Sequence, residues 1–303
     1  MTTPSGTAIS DWRTLNQANW DERVPIHVNA PRAYDLAALR SGKDRLDPIA
    51  MEALGLVDGL RVLHLQCHFG MDSLILAQLG AFVTGVDFSP PAIETARALA
   101  AELGLSERAR FVEANVYDAL MALPEPGSFD RVFVSWGALC WLTDMAAWAR
   151  VVKGFLKPGG FLALAEAHPA ASVFDDAPAG EDGMPVWYTP YLGRAPLLED
   201  RPEDYADPTA RLRNSRTVEF LHPLSDILMG LIDAGLRIDR FHEHDRITWP
   251  MFTHLVKHGP GEWRWPDKPW LPLSYSLRAA KPRFAGTGTS RRLIRSAPPP
   301  SCV

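Results

Sequence analysis

Two residues in one short stretch have the types and spacing to bind a nucleoside. Gly70 follows an apolar run at residues 62–65, and Asp87 follows a second apolar run at residues 82–86. A carboxylate can accept two hydrogen bonds from ribose hydroxyls, and a glycine lets a ligand approach the backbone closely. The stretch therefore predicts binding of a nucleoside.

A βαβ unit would bring these two residues to one edge of a sheet. Uninterrupted apolar runs are typical of buried parallel strands, and residues 73–79 between the two runs have the periodicity of a helix. Ligands of such units bind at the carboxyl ends of the strands. We expect Gly70 and Asp87 at that edge.

The same alternation continues along the chain. The further strands are predicted at residues 109–113, 130–135, 161–166, 237–241 and 274–280, with a KPGG turn at 157–160. The further helices are predicted at residues 47–56, 92–103, 145–156 and 224–234. Alternating strands and helices predict an α/β fold with a doubly wound parallel sheet.

Composition narrows the function class. The chain has 303 residues, 47% of them hydrophobic, and a formal net charge of −5, which indicates a soluble globular protein without general attraction to nucleic acid. The N-terminus lacks a signal sequence and no apolar run could span a membrane, so we expect a cytoplasmic protein. Cys67, Cys140 and Cys302 lack zinc-site spacing, and we expect reduced thiols.

Three regions surround or interrupt the predicted sheet. Residues 1–45 form an N-terminal cap of short helices, in which Trp12 and Trp20 either close one end of the core or belong to a lid. Residues 46–282 form the main domain, with an insertion at about 170–216 that lacks helix periodicity. Residues 283–303 are expected to be a disordered tail.

Five motifs in fixed order resemble the class I S-adenosylmethionine-dependent methyltransferases. They are LHLQCHFGMDS, GVDFSP, ARFVEANVYD, FDRVFVSWGALCWL and LKPGGFLALAE, and they fall between residues 63 and 166. The sequence of the first motif, together with the segments WDERVPIHV and YSLRAAK, resembles a bacterial subgroup of small-molecule methyltransferases. The first motif departs from the glycine-rich family loop, since His64 replaces an acid and Gly70 is the glycine that remains. GxGxxG is absent, which disfavours a nicotinamide oxidoreductase.

The resemblance implies a seven-stranded Rossmann-like sheet in the order 3-2-1-4-5-7-6, with the last strand antiparallel. It also implies that S-adenosylmethionine is the cofactor. The implied contacts are Asp87 to the ribose, Phe88, Asn115 and Val116 to the adenine, and Gln66, His68, Gly70 and Ser135 to the methionine portion. Alternatively, Asp87 is a helix cap and Asn115 is a plain turn residue.

The cap could add contacts to the same cofactor. Trp20 would lie over it, and Arg23 with His27 could meet its carboxylate, since a guanidinium fork suits that geometry. A surface salt bridge is an equal alternative for Arg23. Trp136 and Trp141 could present aromatic faces to a sulfonium, although tryptophans of this kind are more often simply buried.

The candidate catalytic groups follow the fifth predicted strand. We predict His168, with Glu166 beside it, as a general base or acceptor-orienting group, because that strand end should face the acceptor. The alternative for His168 is a capping or core-edge histidine. We predict no metal site: His242 and His244 alternate on a strand, and Glu243 points to the other face.

These observations favour one function and leave others open. We expect methyl transfer to oxygen or nitrogen of a small aromatic or heteroaromatic metabolite, because aromatic residues are frequent around residues 187–191 and 263–270. The alternatives are a non-catalytic nucleoside-binding protein with the same fold and a methyltransferase acting on a macromolecule. We expect the protein to bind a small-molecule acceptor and to bind neither nucleic acid nor a membrane. A homodimer is possible on the sequence alone.

Overall fold

The structure, a computed structural model, describes residues 11–175 and 184–283. Within these residues three helices precede the first strand: α1 (Trp12–Val28), α2 (Leu36–Arg40) and α3 (Pro48–Leu54). α1 is one helix of 17 residues where the sequence suggested short ones. Its Pro25 lies in the last turns, and Asn16 ties the helix to the main domain through two 2.8 Å hydrogen bonds with the backbone of Val218.

Strands and helices then alternate as predicted. The elements are β1 (Arg61–Leu65), α4 (Met71–Gln78), β2 (Phe82–Asp87), α5 (Pro90–Glu102), β3 (Ala109–Glu113), α6 (Ala119–Ala122), β4 (Phe129–Ser135), α7 (Met145–Phe155) and β5 (Leu156–Ala167). Side chains that accept backbone N–H bonds begin several helices, with Asp47 before α3, Ser89 before α5 and Asp144 before α7. The predicted turn at 157–160 lies inside β5, because Leu156 already pairs with Phe129 and the KPGG residues bulge out.

The second part of the chain contains both expected and unexpected elements. They are β6 (Phe174–Asp175), β7 (Val186–Trp187), β8 (Leu197–Asp200), β9 (Arg216–Glu219), α8 (Leu224–Asp233), β10 (Arg237–His244), β11 (Arg246–Ile247), β12 (Val256–Gly259), β13 (Glu262–Arg264) and β14 (Ser274–Ala280). β6 pairs with β7 and β8 with β9, both antiparallel. β6, β7 and β8 lie within the predicted insertion, whereas β9 begins at its end. A small sheet of β11, β13 and β12 was not foreseen; Phe252 and Trp265 stack in its own core.

The main sheet, as built from the described residues, has seven strands in the order β10-β14-β5-β4-β1-β2-β3. Counted along the chain, this is the predicted order 3-2-1-4-5-7-6. β14 runs antiparallel to both β5 and β10, while β1 to β5 are parallel to one another. The fold prediction is therefore confirmed, and the carboxyl ends of β1 to β4 lie at one edge.

Helices cover both faces of this sheet. α3, α4 and α5 contribute to one buried cluster, and α7 and α8 contribute to the other. His64 on β1 is 3% exposed and bonds Ser73 through Nδ1 at 2.9 Å. Burial lowers its pKa to about 3, so His64 is a neutral core residue.

Parts of the predicted organisation lie outside the described residues. They are residues 1–10 of the cap, residues 176–183 of the insertion and all of the expected tail beyond Arg283, including Cys302. In the described part of the chain, no helix has the length and apolar character needed to cross a membrane.

Candidate active site

The backbone is unusual where β1 and β4 end. Among non-glycine residues of the described chain, Gln66 (φ 57°), His68 (φ 51°) and Trp136 (φ 40°) are the ones with positive φ. This conformation costs roughly 1–3 kcal/mol per residue and is often found at functional sites. Gln66 and His68 stand in the loop that is glycine-rich in the family this sequence resembles. The loop thus retains a glycine-like conformation without the glycines.

A cavity of about 270 Å³ lies beside this loop, at the carboxyl ends of β1 to β3, with α1 as its roof. Predicted cofactor residues in its lining are Gln66, Asp87, Phe88, Asn115 and Val116. The roof contributes Trp12, Arg13, Asn16 and Gln17, and the segment after β4 contributes Trp141 and Leu142. The structure therefore brings five of the predicted residues to one cavity.

Asp87 is held rigidly at the edge of this cavity. Its Oδ2 accepts a 2.8 Å hydrogen bond from the His68 backbone N–H, and its Oδ1 accepts a 3.0 Å bond from the Ser89 N–H. Burial raises the pKa of Asp87 to about 6. The N-cap of α5 is Ser89, so Asp87 orients the turn before the helix and keeps lone pairs for a ligand.

The end of β3 combines a turn with a ligand surface. Asn115 Oδ1 accepts a 3.1 Å hydrogen bond from the Tyr117 N–H, which caps a short 3₁₀ helix, Val116–Asp118. Asn115 therefore both caps this short helix and lines the cavity. Phe88 also holds the roof, because its carbonyl accepts a 3.1 Å bond from Gln17 Nε2.

Two buried polar atoms near the cavity lack a hydrogen-bond partner among the described residues. Gln66 donates through Nε2 to the Ala138 carbonyl at 2.8 Å, which leaves Oε1 as an unpaired acceptor. Trp20 Nε1 is an unpaired donor, and its ring packs edge-on at 5.5 Å against Trp141, which lines the cavity. Unpaired buried groups of this kind favour a ligand with a matching donor and acceptor.

Arg23 and His27 form a buried cluster with Asp204, not a surface salt bridge. Arg23 Nη1 lies 2.8 Å from Asp204 Oδ2, and its Nε donates to Asn19 Oδ1 at 2.7 Å. His27 Nε2 lies 3.1 Å from the same Asp204 oxygen, and His27 Nδ1 lies 2.8 Å from His68 Nε2. The Arg23 guanidinium is thus committed to protein partners.

The side of Gly70 that would carry a Cβ faces the core, and Gly70 is not among the residues that line the cavity. A Cβ at this position would come within 2.6 Å of the Phe111 ring and 2.9 Å of Ala96. Its φ of 79° also belongs to the left-handed region. Gly70 is required for the turn into α4 and for packing of that turn against β3.

Ser135 contacts Asp72, a buried acidic residue that was not predicted from the sequence as part of the site. Its hydroxyl donates a 3.2 Å hydrogen bond to Asp72 in the first turn of α4. Burial, followed by the charge of Asp47, raises the pKa of Asp72 to about 7. An acidic residue in the first turn of a helix ordinarily interacts with the helix dipole. The sequence therefore gave no indication that Asp72 has any other role. Trp136 donates to Asp47 at 2.6 Å and does not line the cavity.

The two predicted catalytic groups are occupied by structural contacts. Glu166 accepts hydrogen bonds from the backbone N–H groups of Gly137, Ala138, Leu139 and Ala167 at 2.5–3.2 Å. This carboxylate orders the segment after β4, and its lone pairs are not free to act as a base.

His168 is likewise committed through both ring nitrogens. Nε2 bonds Glu243 Oε1 at 3.0 Å, and Nδ1 accepts from the Ala170 N–H at 3.1 Å. The residue is 3% exposed and lies outside the cavity lining, and burial lowers its pKa. This geometry corresponds to the core-edge alternative.

Across residues 11–175 and 184–283 no group of three side chains is arranged to hold a metal, and His244 bonds Ser276.

Comparisons with known proteins agree with this fold. A family model described as "Methyltransferase domain" matches residues 62–160. Relatives named ubiquinone biosynthesis O-methyltransferase include one from Methylobacterium sp. (strain 4-46), 31% identical over 62% of this chain and 75% of the relative. One from Xanthomonas euvesicatoria is 31% identical over 69% and 77%. One from Methylobacterium nodulans is 32% identical over 55% and 66%.

Solved structures show the same fold. An S-adenosylmethionine-dependent methyltransferase from Mesorhizobium loti aligns with a TM-score of 0.56 at 23% identity, over 77% of this chain and 96% of the other. A protein described as a putative methyltransferase of this type, from Listeria monocytogenes, aligns with a TM-score of 0.57 at 18% identity, over 77% and 94%. The chain belongs to the class I S-adenosylmethionine-dependent methyltransferase family, and S-adenosylmethionine is its cofactor.

Proposed function

We propose that the chain methylates an oxygen or nitrogen atom of a small aromatic or heteroaromatic molecule. The observation that carries this is the cavity under α1, whose lining includes Asp87 and the aromatic residues Trp12, Phe88 and Trp141. The relatives named O-methyltransferase favour oxygen over nitrogen as the methylated atom. A cavity with aromatic walls suits a flat small molecule better than a macromolecule.

The lining residues fit S-adenosylmethionine at separate points. Asp87 would accept hydrogen bonds from the ribose hydroxyls, while Phe88, Asn115 and Val116 would border the adenine. The unpaired Gln66 Oε1 would accept from the methionine ammonium, and the unpaired Trp20 Nε1 would donate to its carboxylate. When bound, the cofactor supplies a methyl group on a sulfonium, whose leaving group is a neutral thioether.

The chain's own contribution is alignment and exclusion of water. α1 covers the cavity and is fixed by Gln17 to the Phe88 carbonyl and by Asp21 to Ser89 Oγ at 2.5 Å. A closed, dry site strengthens electrostatic contacts and holds two reactants in line, which supplies much of the rate of a displacement reaction.

A labelled-methyl assay tests this function. The purified chain is incubated with S-adenosylmethionine carrying a tritiated methyl group and with a panel of phenols and nitrogen heteroaromatics, and products are identified by mass spectrometry. We expect label on a small-molecule oxygen or nitrogen, and loss of labelling in Asp87→Ala. Absence of calorimetric binding to both S-adenosylmethionine and S-adenosylhomocysteine, or label found only on protein or nucleic acid, would contradict the proposal.

A further inference from the structure

Three side chains from distant parts of the sequence form a linear hydrogen-bonded array. Asp204 Oδ2 is 3.1 Å from His27 Nε2, and His27 Nδ1 is 2.8 Å from His68 Nε2. His27 is 0% and Asp204 1% exposed. Asp204 is fixed by the backbone N–H groups of residues 206 and 207, which bond its other oxygen. The array therefore has one defined geometry, and it ends in the loop after β1.

The Asp204 carboxylate determines which nitrogen carries the proton in the imidazole rings of His27 and His68. An ionised Asp204 only accepts, so His27 carries its proton on Nε2 and offers the Nδ1 lone pair to His68. His68 must then carry its proton on Nε2, which leaves Nδ1 as a lone pair. His68 Nδ1 makes no hydrogen bond with any described residue, although the ring is partly exposed. The outcome is a histidine with a fixed, unpaired basic nitrogen.

Charge balance keeps this histidine neutral. Arg23 already neutralises Asp204 at 2.8 Å, so a proton on either ring would add a net positive charge to a buried cluster. Burial lowers the pKa of His68 well below its usual 6.5, and His27 and Arg23 lower it further. A neutral base suits a site for a sulfonium, because an imidazolium would repel that cation.

His68 does not itself line the cavity, but it adjoins residues that do. Its backbone N–H bonds Asp87 Oδ2 at 2.8 Å, and its ring packs edge-on against Trp20 at 5.3 Å. Trp20 in turn contacts Trp141, which lines the cavity. One loop thus carries both a bond to the carboxylate proposed for the ribose and the free imidazole nitrogen.

We propose that His68 is the general base for the acceptor, through Nδ1, and that His27 and Asp204 are positioning residues that hold its tautomer. This inference rests on the proposed function and adds a base to it. As the acceptor oxygen forms its bond to the methyl carbon, the carbon–sulfur bond breaks with its electron pair retained by sulfur. The acceptor's proton passes to His68 Nδ1. The positive charge lost from the sulfonium then resides on the His68 imidazolium, so the net charge of the site does not change during the transfer.

Substitution of His68 and substitution of Asp204 should both lower kcat, the first by removing the base and the second by changing its tautomer. His68→Asn should lower kcat for a phenol about 10²–10⁴-fold with the calorimetric Kd for S-adenosylhomocysteine changed less than threefold. Asp204→Asn places an amide donor opposite His27, which reverses both tautomers and puts a proton on His68 Nδ1. It should therefore lower kcat in the same direction. The matched control is His258→Gln on the exposed surface of β12, which should leave kcat unchanged.

Acceptors of different acidity can show whether His68 acts as a base or has only a structural role. A phenol with a pKa near 10 must lose its proton during transfer, whereas an electron-poor phenol that is already ionised at the assay pH needs no base. His68→Asn should therefore slow the first acceptor far more than the second. Equal loss of kcat for both acceptors would overturn the proposal, because damage to the loop affects both alike.

A spectroscopic readout is independent of turnover. Long-range ¹⁵N–¹H spectra of the cofactor-free protein should show His68 protonated at Nε2 and unprotonated at Nδ1, with the opposite tautomer in Asp204→Asn. The titrating or charged groups that face the array, and whose signals must be assigned with it, are Arg23, Tyr34, Asp87 and Tyr205. A proton on Nδ1 in the unmodified chain would overturn the inference. If the wild-type chain methylates none of the acceptors, the proposed function fails, and the spectrum still decides the tautomer on which the base depends.

Discussion

The backbone N–H of His68 donates a 2.8 Å hydrogen bond to Oδ2 of Asp87, which joins the loop after β1 to the end of β2. The Asp87 carboxylate is therefore positioned by the same loop that carries the imidazole of His68. A shift of this loop would move both groups together.

Asp87→Asn should weaken cofactor binding strongly. A hydrogen bond to a charged group is worth roughly 1.5–3 kcal/mol, so loss of one ribose bond should raise the Kd for S-adenosylmethionine about 10- to 150-fold. Isothermal calorimetry measures this directly. Asp239→Asn on the exposed part of β10 is the matched control and should bind as the wild type does. Wild-type affinity in Asp87→Asn would place the ribose elsewhere.

Cofactor binding should also depend on pH through Asp87. Burial raises the pKa of this carboxyl from 3.8 to about 6, and ribose hydroxyls donate to its ionised form. Above pH 7 the Kd should be constant, and below pH 6 it should rise toward tenfold per pH unit as Asp87 becomes protonated. Calorimetry between pH 5 and 8 in two buffers of different ionisation enthalpy should detect proton release on binding near pH 6. A Kd that stays flat down to pH 5 would rule out this role.

Much of the fold could be predicted because its strands are buried apolar runs separated by helices with clear periodicity. Asp87 could be predicted for the same reason, as a polar residue directly after a buried strand. The carboxylate of Glu166 also follows such a rule, yet its role could not be read from the sequence. Three N–H groups converge on it only after the segment following β4 is folded.

The array of Asp204, His27 and His68 had no sequence signal. Asp204 and His27 are 177 residues apart, and Asp204 lies in the insertion, where no periodicity places any residue. The small sheet of β11 to β13 was missed for a related reason, since strands of two to four residues are too short to show alternation. Long-range pairing of short polar segments depends on the folded surface around them.

Asp72→Asn should stabilise the protein at alkaline pH. The pKa of Asp72 in the folded state is about 7 against 3.8 in an ordinary setting, so the folded state favours the protonated acid. Its favourable contribution is complete below pH 3.8 and is lost as the pH rises through 7. Asparagine removes the cost of the buried charge and can still accept from Ser135, so the free energy of unfolding at pH 8.5 should rise by about 1–3 kcal/mol.

Urea unfolding of wild type and Asp72→Asn at pH 5 and pH 8.5 checks the sign. The stabilisation should be larger at pH 8.5 than at pH 5, since the loss of the wild-type contribution begins near pH 3.8 and is complete only above pH 7. A gain of equal size at both pH values would mean that the substitution acts through packing and not through charge. Ser135→Ala, which removes the 3.2 Å hydrogen bond but not the carboxylate, should not reproduce the effect.

Gly70→Ala should destabilise the protein more than Gly104→Ala, although both glycines have positive φ, 79° and 68°. A Cβ at Gly70 would meet Phe111 at 2.6 Å, whereas a Cβ at Gly104 has no heavy atom within 4 Å among the described residues. Backbone strain alone costs about 1–2 kcal/mol, and forced repacking against Phe111 adds about 1–3 kcal/mol. Urea unfolding of both variants separates the two costs. Equal losses would show that Phe111 yields freely, and Phe111→Leu in the Gly70→Ala background should then restore nothing.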